Sequence, residues 1–344
     1  MKILGIETSC DECAAAVVED GKKILSNVIV SQIPFHAAYN GVVPEIASRK
    51  HTEWIYAVIK EALDKAGLAA ADIDAVAATS RPGLLGSLLV GLSFAKAFAW
   101  ARNIPFIAVD HMLAHLYAPR LSAENYCEYP FLGLLVSGGH TIILRADNFD
   151  DITVFGTTID DAVGEAFDKV AKHYGFGYPG GVVIDKMSRN GDSEAFNFPI
   201  ARLYKGGLHK GDHRYDVSYS GLKTAVINQL EMFRVKKETI KNEDIAASFQ
   251  KTAVDTLLRA LFNAANDTGL NTIVAGGGVA ANSYLRACLA ERKDLRCIFP
   301  PLELCADNGA MIAGIAYHYL ERGDRSPMNI TASSRVAGFK KKYP

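Results

Sequence analysis

The chain has 344 residues, 49% hydrophobic and 22% charged, which is ordinary globular composition with enough length for two cores rather than one. A formal net charge of -1 excludes a protein that coats itself in nucleic acid through a broad basic surface, so any such contact must rest on a local patch or on a partner. Glu7 interrupts the apolar start, and the most membrane-like run, residues 84–101, carries Lys96 with several Ser and Gly, so neither a signal peptide nor a span is expected and the chain reads as cytoplasmic with no membrane partner.

In chain order, residues 2–7 and 14–19 are apolar or alternating and flank the turn Thr8-Ser9-Cys10-Asp11-Glu12. With residues 22–32 they predict a three-strand meander. Residues 44–67 have helical spacing and close on a Gly stop. Strand 73–80, a turn at 81–87, helix 87–103, strand 105–110 and helix 111–121 follow. After a looser stretch at 122–130 the pattern restarts. Two strands surround a Ser-Gly-Gly turn within 131–147, a third covers 151–158, and a helix covers 160–175. A long helix at 242–269, a strand, Gly-rich turn and helix over 271–293, a strand at 296–301 and a last helix from 307 complete the chain. Meander followed by helix and strand alternation thus occurs twice, which predicts an α/β protein of two related domains facing each other over a cleft. Residues 1–129 form the first domain, with the stretch 308–344 packing back on it as a C-terminal helix. Residues 130–307 form the second, interrupted by a Gly-rich insertion at 175–222 without clear periodicity.

Cys10 and Cys13 make a C-x-x-C, but Cys127, Cys288, Cys297 and Cys305 stand singly, so a four-cysteine zinc site has no second pair. The strand pattern that follows Cys13 also argues against a thioredoxin-type motif, which needs a helix there. Two small thiols in a tight hairpin is the simpler reading.

His111 and His115 are four apart, so on a helix they share one face and can present two imidazoles to one metal ion, with Asp110 placed to cap the helix. Met112 stands where a zinc protease carries its glutamate base. Asp307 opens an apolar helix, where a carboxylate serves either as an N-cap, the commoner case, or as a third ligand. The glycine turns at 136–141 and 275–282 each follow an apolar strand and suit a phosphate, although neither is G-x-G-x-x-G and neither carries a Walker lysine. Asp161, Glu165 and Asp168 share a helix region whose plain reading is a solvated acidic face, and Tyr178-Pro179-Gly180-Gly181 supplies glycines for close approach to a ligand.

The segments GIETSCDE, NGVVPEIASRKH, HMLAH, VSGGHT, DDAVGEAFDKVAK, YPGG, SGLKTAV, GGGVAANSYLR and DNGAMIAG occur in this order across nearly the whole chain. Together they closely resemble the universal tRNA threonylcarbamoyladenosine transferase family in its bacterial form, once labelled O-sialoglycoprotein endopeptidase. The resemblance implies the actin-like, hexokinase-like and Hsp70-like ATPase fold. It implies transfer of threonylcarbamoyl from threonylcarbamoyl-adenylate to N6 of the tRNA adenosine 3′-adjacent to the anticodon, with release of AMP. It also implies one iron or zinc ion on His111, His115 and Asp307. The adenylate site, which ATP or ADP can share, would comprise Leu135, Val136, Ser137, Gly138, Gly139, Asp168, Gly181, Asp185 and Asn282.

The same resemblance points the acidic turn, Asp11 and Glu12, into the cleft, where either carboxylate can take the proton from the attacking amine, while His140 either orients a phosphate oxygen or is a buried turn residue. Implied partners are tRNA, a paralogous dimer partner of the same fold and a small ATPase, with a separate synthase making the adenylate. Local basic candidates for tRNA are residues 205–214 and 339–344. The departures from the family pattern are Cys13, Asn40, Arg81, Leu113-Ala114 between the histidines and Ala306, and none removes a ligand. A metalloprotease and a non-catalytic nucleotide-gated scaffold are the rival readings.

Overall fold

The structure, a computed structural model, describes residues 1–39, 41–122, 127–201, 203, 213–236, 241–335 and 340–341. The chain divides into two compact units, one of Met1–Cys127 with Phe299–Phe339, the other of Glu128–Ile298 with Lys340–Pro344.

The first unit opens with an antiparallel meander, β1 (Lys2–Glu7), β2 (Glu12–Glu19) and β3 (Lys23–Ser31). A short helix α1 (Ile33–His36) leads to α2 (Pro44–Ala66), which begins with Pro at its first position and ends on a left-handed Gly67, the usual punctuation of a helix. Next come β4 (Ala75–Arg81), α3 (Leu85–Arg102), β5 (Phe106–Asp110) and α4 (His111–Tyr117). β4 and β5 add in parallel to β1, so the sheet order is β3-β2-β1-β4-β5. β1 and β2 are buried along almost their whole length rather than on alternate residues, as strands covered on both faces are. Leu4, Ile6, Val17, Val58, Ile59 and Leu92 pack β1, β2, α2 and α3 into one core.

The second unit repeats this plan. β6 (Phe131–Val136), β7 (Thr141–Ala146) and β8 (Ile152–Thr157) form the meander, followed by α5 (Val163–Tyr174), α6 (Gly180–Ser188), α7 (Ser220–Lys236) and α8 (Asn242–Thr268). β9 (Thr272–Gly276), α9 (Ser283–Glu291) and β10 (Arg296–Ile298) follow, and the sheet order is β10-β9-β6-β7-β8 with a two-residue strand β11 (Lys340–Lys341) beside β8; α10 (Gly309–Glu321), which precedes β11, belongs to the first unit.

Three expectations are corrected. The chain returns to the first unit at Phe299, not after 307, so Asp307 belongs with the two histidines. The stretch 308–344 is not one helix. α10 stops at Glu321, with Gly323 at φ +92° and Pro327 just beyond, and residues 326–333 run as a strap along β5 and β4. Ser326 N–H donates to Phe106 O at 2.9 Å, Ser333 N–H to Ser80 O at 2.9 Å, and Lys96 Nζ to Ile330 O. Finally, the insertion 175–222 is not structureless. It holds α6 and the start of α7, whose first backbone N–H, that of Ser220, donates together with Tyr219 N–H to Asp160 Oδ1 from far up the chain. Asn40, most of 205–214 and most of 339–344 lie outside the described residues. At the edge of the first basic stretch, His213 pairs with Asp216 and Arg214 with Asp267.

Candidate active site and metal centre

In the first unit, α4 begins where β5 ends. Asp110, buried at that junction, accepts from Met112 N–H at 3.0 Å and caps the helix, while its other oxygen accepts from Arg81 Nε at 3.2 Å. Burial pushes the Asp110 carboxyl above its ordinary value and Arg81 only partly opposes this. The departure at Arg81 therefore has a place: it braces the cap under the histidines. Every side chain of α4 is buried, and His111 and His115 meet edge to face, 4.5 Å between ring centroids.

Asp307 reaches them from the start of α10. His115 Nε2 lies 3.1 Å and His111 Nε2 3.6 Å from Asp307 Oδ1. The three ligand atoms lie within 4.8 Å of one another. Asp307 is not the cap of α10, since Asn308 Oδ1 accepts from Met311 N–H at 2.9 Å and caps the helix itself. α10 can come this close because Gly309 and Gly5 leave room; a Cβ on Gly5 would stand 2.3 Å from Gly309 O.

Sequence reasoning missed Glu7. This residue ends β1 fully buried, and its Oε2 accepts from His111 Nδ1 at 3.1 Å and from Thr79 Oγ1 at 2.5 Å, while Oε1 accepts from Ser9 N–H. A carboxylate on Nδ1 fixes the ring and its tautomer and leaves Nε2 to face Asp307, the arrangement that supports a metal-binding histidine. The signal was visible, because a lone carboxylate closes an otherwise apolar strand. Burial alone would lower His111, but Asp307 and Glu7 outweigh it and hold the imidazole up at about 9. Two imidazole nitrogens and one carboxylate oxygen fit a divalent ion such as iron(II) or zinc.

The acidic turn stands in the same unit. Asp11 is buried and Glu12 half-buried, with Ser31 Oγ donating to Glu12 Oε1 at 3.3 Å. Burial, then Asp11 and Asp307, push Glu12 well above the usual carboxylate range. These three carboxylates are thus close enough to oppose one another's charge, a pattern typical of sites that handle protons or cations. The C-x-x-C has no such character. Cys13 is wholly buried in the core with its thiol pushed up to about 12 by burial, and burial also raises Cys10.

In the second unit, Ser137-Gly138-Gly139-His140 links β6 to β7. Ser137 N–H donates to His140 O at 2.8 Å and His140 N–H to Ser137 Oγ at 3.1 Å. A Cβ at Gly138, Gly139 or Gly278 would meet nothing within 4 Å, so these backbones border open space. Leu135 and Val136 are wholly buried strand residues that offer a ligand only their backbone. Asp168 Oδ1 accepts from Gly180 N–H at 2.7 Å and ties α5 to the start of α6. A Cβ on Gly181 beside it would meet only Phe167 Cβ, at 4.0 Å. Asp185 Oδ1 accepts from Ser283 N–H and Oγ, and Asn282 caps α9 while donating to Gln250 Oε1 at 2.8 Å. Asp185, Asn282, Ser283 and Gln250 therefore stand together. Asp161 takes no part, being neutralised by Lys169 and Lys223.

A family model described as tRNA N6-adenosine threonylcarbamoyltransferase matches residues 23–314. A relative of that name from Treponema denticola is 66% identical over 342 residues, covering 99% of both chains. Another from Treponema pallidum is 54% identical, covering 99% of this chain and 95% of its own. Among solved structures, component A of the (R)-2-hydroxyglutaryl-CoA dehydratase of Acidaminococcus fermentans aligns over 94% of this chain and 100% of its own, with a TM-score of 0.56 at 15% identity. Full-length HypF in a phosphate- and nucleotide-bound form aligns over 93% of this chain and 46% of its own, with a TM-score of 0.59 at 16% identity. These likenesses place the fold among the actin-like, hexokinase-like and Hsp70-like ATPases.

Proposed function

Because this chain belongs to the tRNA N6-adenosine threonylcarbamoyltransferase family, we propose that it transfers a threonylcarbamoyl group to the N6 amine of the tRNA adenosine 3′-adjacent to the anticodon. The observation that carries the reading is the convergence of His111, His115 and Asp307 near two carboxylates, the buried Asp11 and the half-buried Glu12. The donor would be threonylcarbamoyl-adenylate. The amine nitrogen attacks the carbamoyl carbon, a C–N bond forms, the C–O bond to phosphate breaks, and AMP leaves with the electron pair. The mixed anhydride is already activated, so no protein nucleophile is required.

The residues of this chain hold, orient and deprotonate. Glu12 is held toward its acid form by burial, Asp11 and Asp307, which favours Asp11 as the acceptor of the amine proton. His111, His115 and Asp307 would hold one iron or zinc ion, which when bound polarises a ligand oxygen as a Lewis acid. In the second unit, the open backbones of Gly138, Gly139 and Gly278 support close approach of an adenylate phosphate, and Asp168, Gly181, Asp185 and Asn282 border the helix starts that would receive its nucleoside. His140 would orient a phosphate oxygen. ATP or ADP would share this site.

No helix among the described residues is long and apolar enough to cross a membrane, which is consistent with work on tRNA in the cytoplasm. The proposed assembly includes a same-fold paralogue and a small ATPase. α3 supports a protein partner, because Leu85, Leu89 and Trp100 stand on its solvent side, Trp100 at 80% exposure. Against the protease reading, Met112 is buried and no carboxylate lies between the two histidines.

The test is to incubate the purified chain with unmodified tRNA, ATP, threonine, bicarbonate, a synthase and the two partner proteins, then analyse nucleosides by mass spectrometry. Threonylcarbamoyladenosine that depends on this chain supports the proposal. Peptide cleavage without modified nucleoside would return the protease, and neither product would return the scaffold.

A further inference from the structure

The acidic turn is held from behind by buried polar groups that no proposed step uses. His51 lies wholly buried on α2, and its Nε2 is 2.9 Å from Cys10 O, so Nε2 carries the proton and donates. Gln32 N–H donates to Asp11 O at 2.9 Å, while the Gln32 side-chain amide donates to Ala47 O, one helical turn before His51. His36, wholly buried at the end of α1, accepts from Val43 N–H at 3.3 Å through Nδ1, so its Nε2 carries the proton. Burial first, and the His36 ring besides, disfavour a charge on His51.

Three atoms of this cluster have no partner: Gln32 Oε1, His36 Nε2 and His51 Nδ1. Their roles are complementary. Two are acceptors and one is a donor, and a water molecule can accept from His36 Nε2–H while donating to His51 Nδ1 and Gln32 Oε1. Three polar partners is the usual coordination of a buried water, and buried polar groups are rarely left unmet.

We propose that Gln32, His36 and His51 enclose one internal water and, with it, act as positioning residues that fix the Cys10–Glu12 turn for the transfer step. The grip is on the backbone at two successive carbonyls, Cys10 O and Asp11 O, and Ser31 adds a hold on the Glu12 side chain. These groups hold the turn from one side through its backbone and the Glu12 side chain, while Ser9 Oγ, at the start of the turn, lies 3.3 Å from His111 Nδ1. The activity half of the inference rests on the transferase reading; the water does not.

The first experiment is a high-resolution crystal structure of the unaltered protein. The expected result is one ordered water bonded to His36 Nε2, His51 Nδ1 and Gln32 Oε1; a dry or rearranged cluster overturns the proposal whatever the enzyme does. The second compares His51→Leu with His51→Gln, which keeps an N–H for Cys10 O. Misplacing reacting groups by about an ångström costs up to ~10²-fold in rate, so His51→Leu should lose ~10- to 100-fold in kcat, with KM for the adenylate and bound metal unchanged. His51→Gln should recover most of that loss. A wild-type kcat in His51→Leu overturns the positioning role, as does a loss confined to KM or metal content. If His51→Leu does not fold, His51→Gln decides alone, and a ~10-fold or larger kcat loss there overturns the backbone-grip account. If the unaltered protein makes no modified tRNA, the transferase reading fails and the crystallographic result still decides the water.

Discussion

Raising the pH should tighten metal binding at the triad, and the size of the effect follows from His111. In the metal-free protein Asp307 and Glu7 hold this imidazole protonated up to about 9, against an ordinary 6.5. Its proton therefore stabilises the metal-free fold below about 6.5, and that stabilisation is lost as pH rises through about 9. A metal ion needs the Nε2 lone pair and must displace the proton. At pH 7 the displacement opposes binding by roughly two pH units, about 3 kcal/mol at 1.36 kcal/mol per unit. The apparent zinc Kd should fall about tenfold per pH unit from 7 to 9 and level off above. Competition against a chromophoric chelator measures this, and calorimetry in two buffers of different ionisation enthalpy should count about one proton released per ion at pH 7. Glu7→Gln should flatten the slope while weakening affinity at the plateau by ~10- to 100-fold, as loss of a carboxylate behind a metal-binding histidine does. A Kd independent of pH from 7 to 9, with no proton released, would refute the assignment of His111 Nε2 as a ligand.

His111→Ala and Asp307→Ala should each abolish stoichiometric metal while far-ultraviolet circular dichroism stays native, and retained metal after dialysis would refute the triad. Asp11→Asn should lower single-turnover transfer by ~10²- to 10⁴-fold at saturating adenylate with little change in adenylate binding; a loss of binding alone would make Asp11 a positioning group. Cys13→Ser should leave tRNA modification intact but lower stability by about 1–3 kcal/mol, because its hydroxyl enters the buried hydrophobic core. Denaturant titration and nucleoside analysis read the two separately, and loss of modification in a folded variant would revive a role for the C-x-x-C.

What could be read in advance depended on whether the signal was local. The pairing of His111 with His115 was legible because a spacing of four is a property of one helix, and the two meanders were legible because a short apolar run bounded by turn residues is a property of one strand. Asp307 was ambiguous because the residue that resolves it, Asn308, competes for the same capping role. Glu7 was overlooked although it breaks an apolar run, since nothing in its vicinity announces a partner more than a hundred residues on. α6 and α7 were lost in the Gly-rich insertion because their starts are held by carboxylates outside each helix, Asp168 on the preceding α5 for α6 and Asp160, 60 residues back, for α7. His36 and His51 carry no spacing signal at all, because only the α1–α2 connection brings them together.

The second unit is inserted into the first, between Cys127 and Phe299. A ribosome therefore releases both histidines and the Glu7 carboxylate long before it makes Asp307, and α10, which lies against β1 through Gly5 and Gly309, arrives later still. Chains grow at about 5–20 residues per second and fold as domains emerge, so the first unit must wait roughly ten to forty seconds with its central helix missing. In that interval the nascent chain offers a metal two imidazoles and no third ligand. On the proposed triad, capture of an ion would require synthesis past Asp307, and a chain arrested before Phe299 should fail to retain metal even where its first 127 residues are intact.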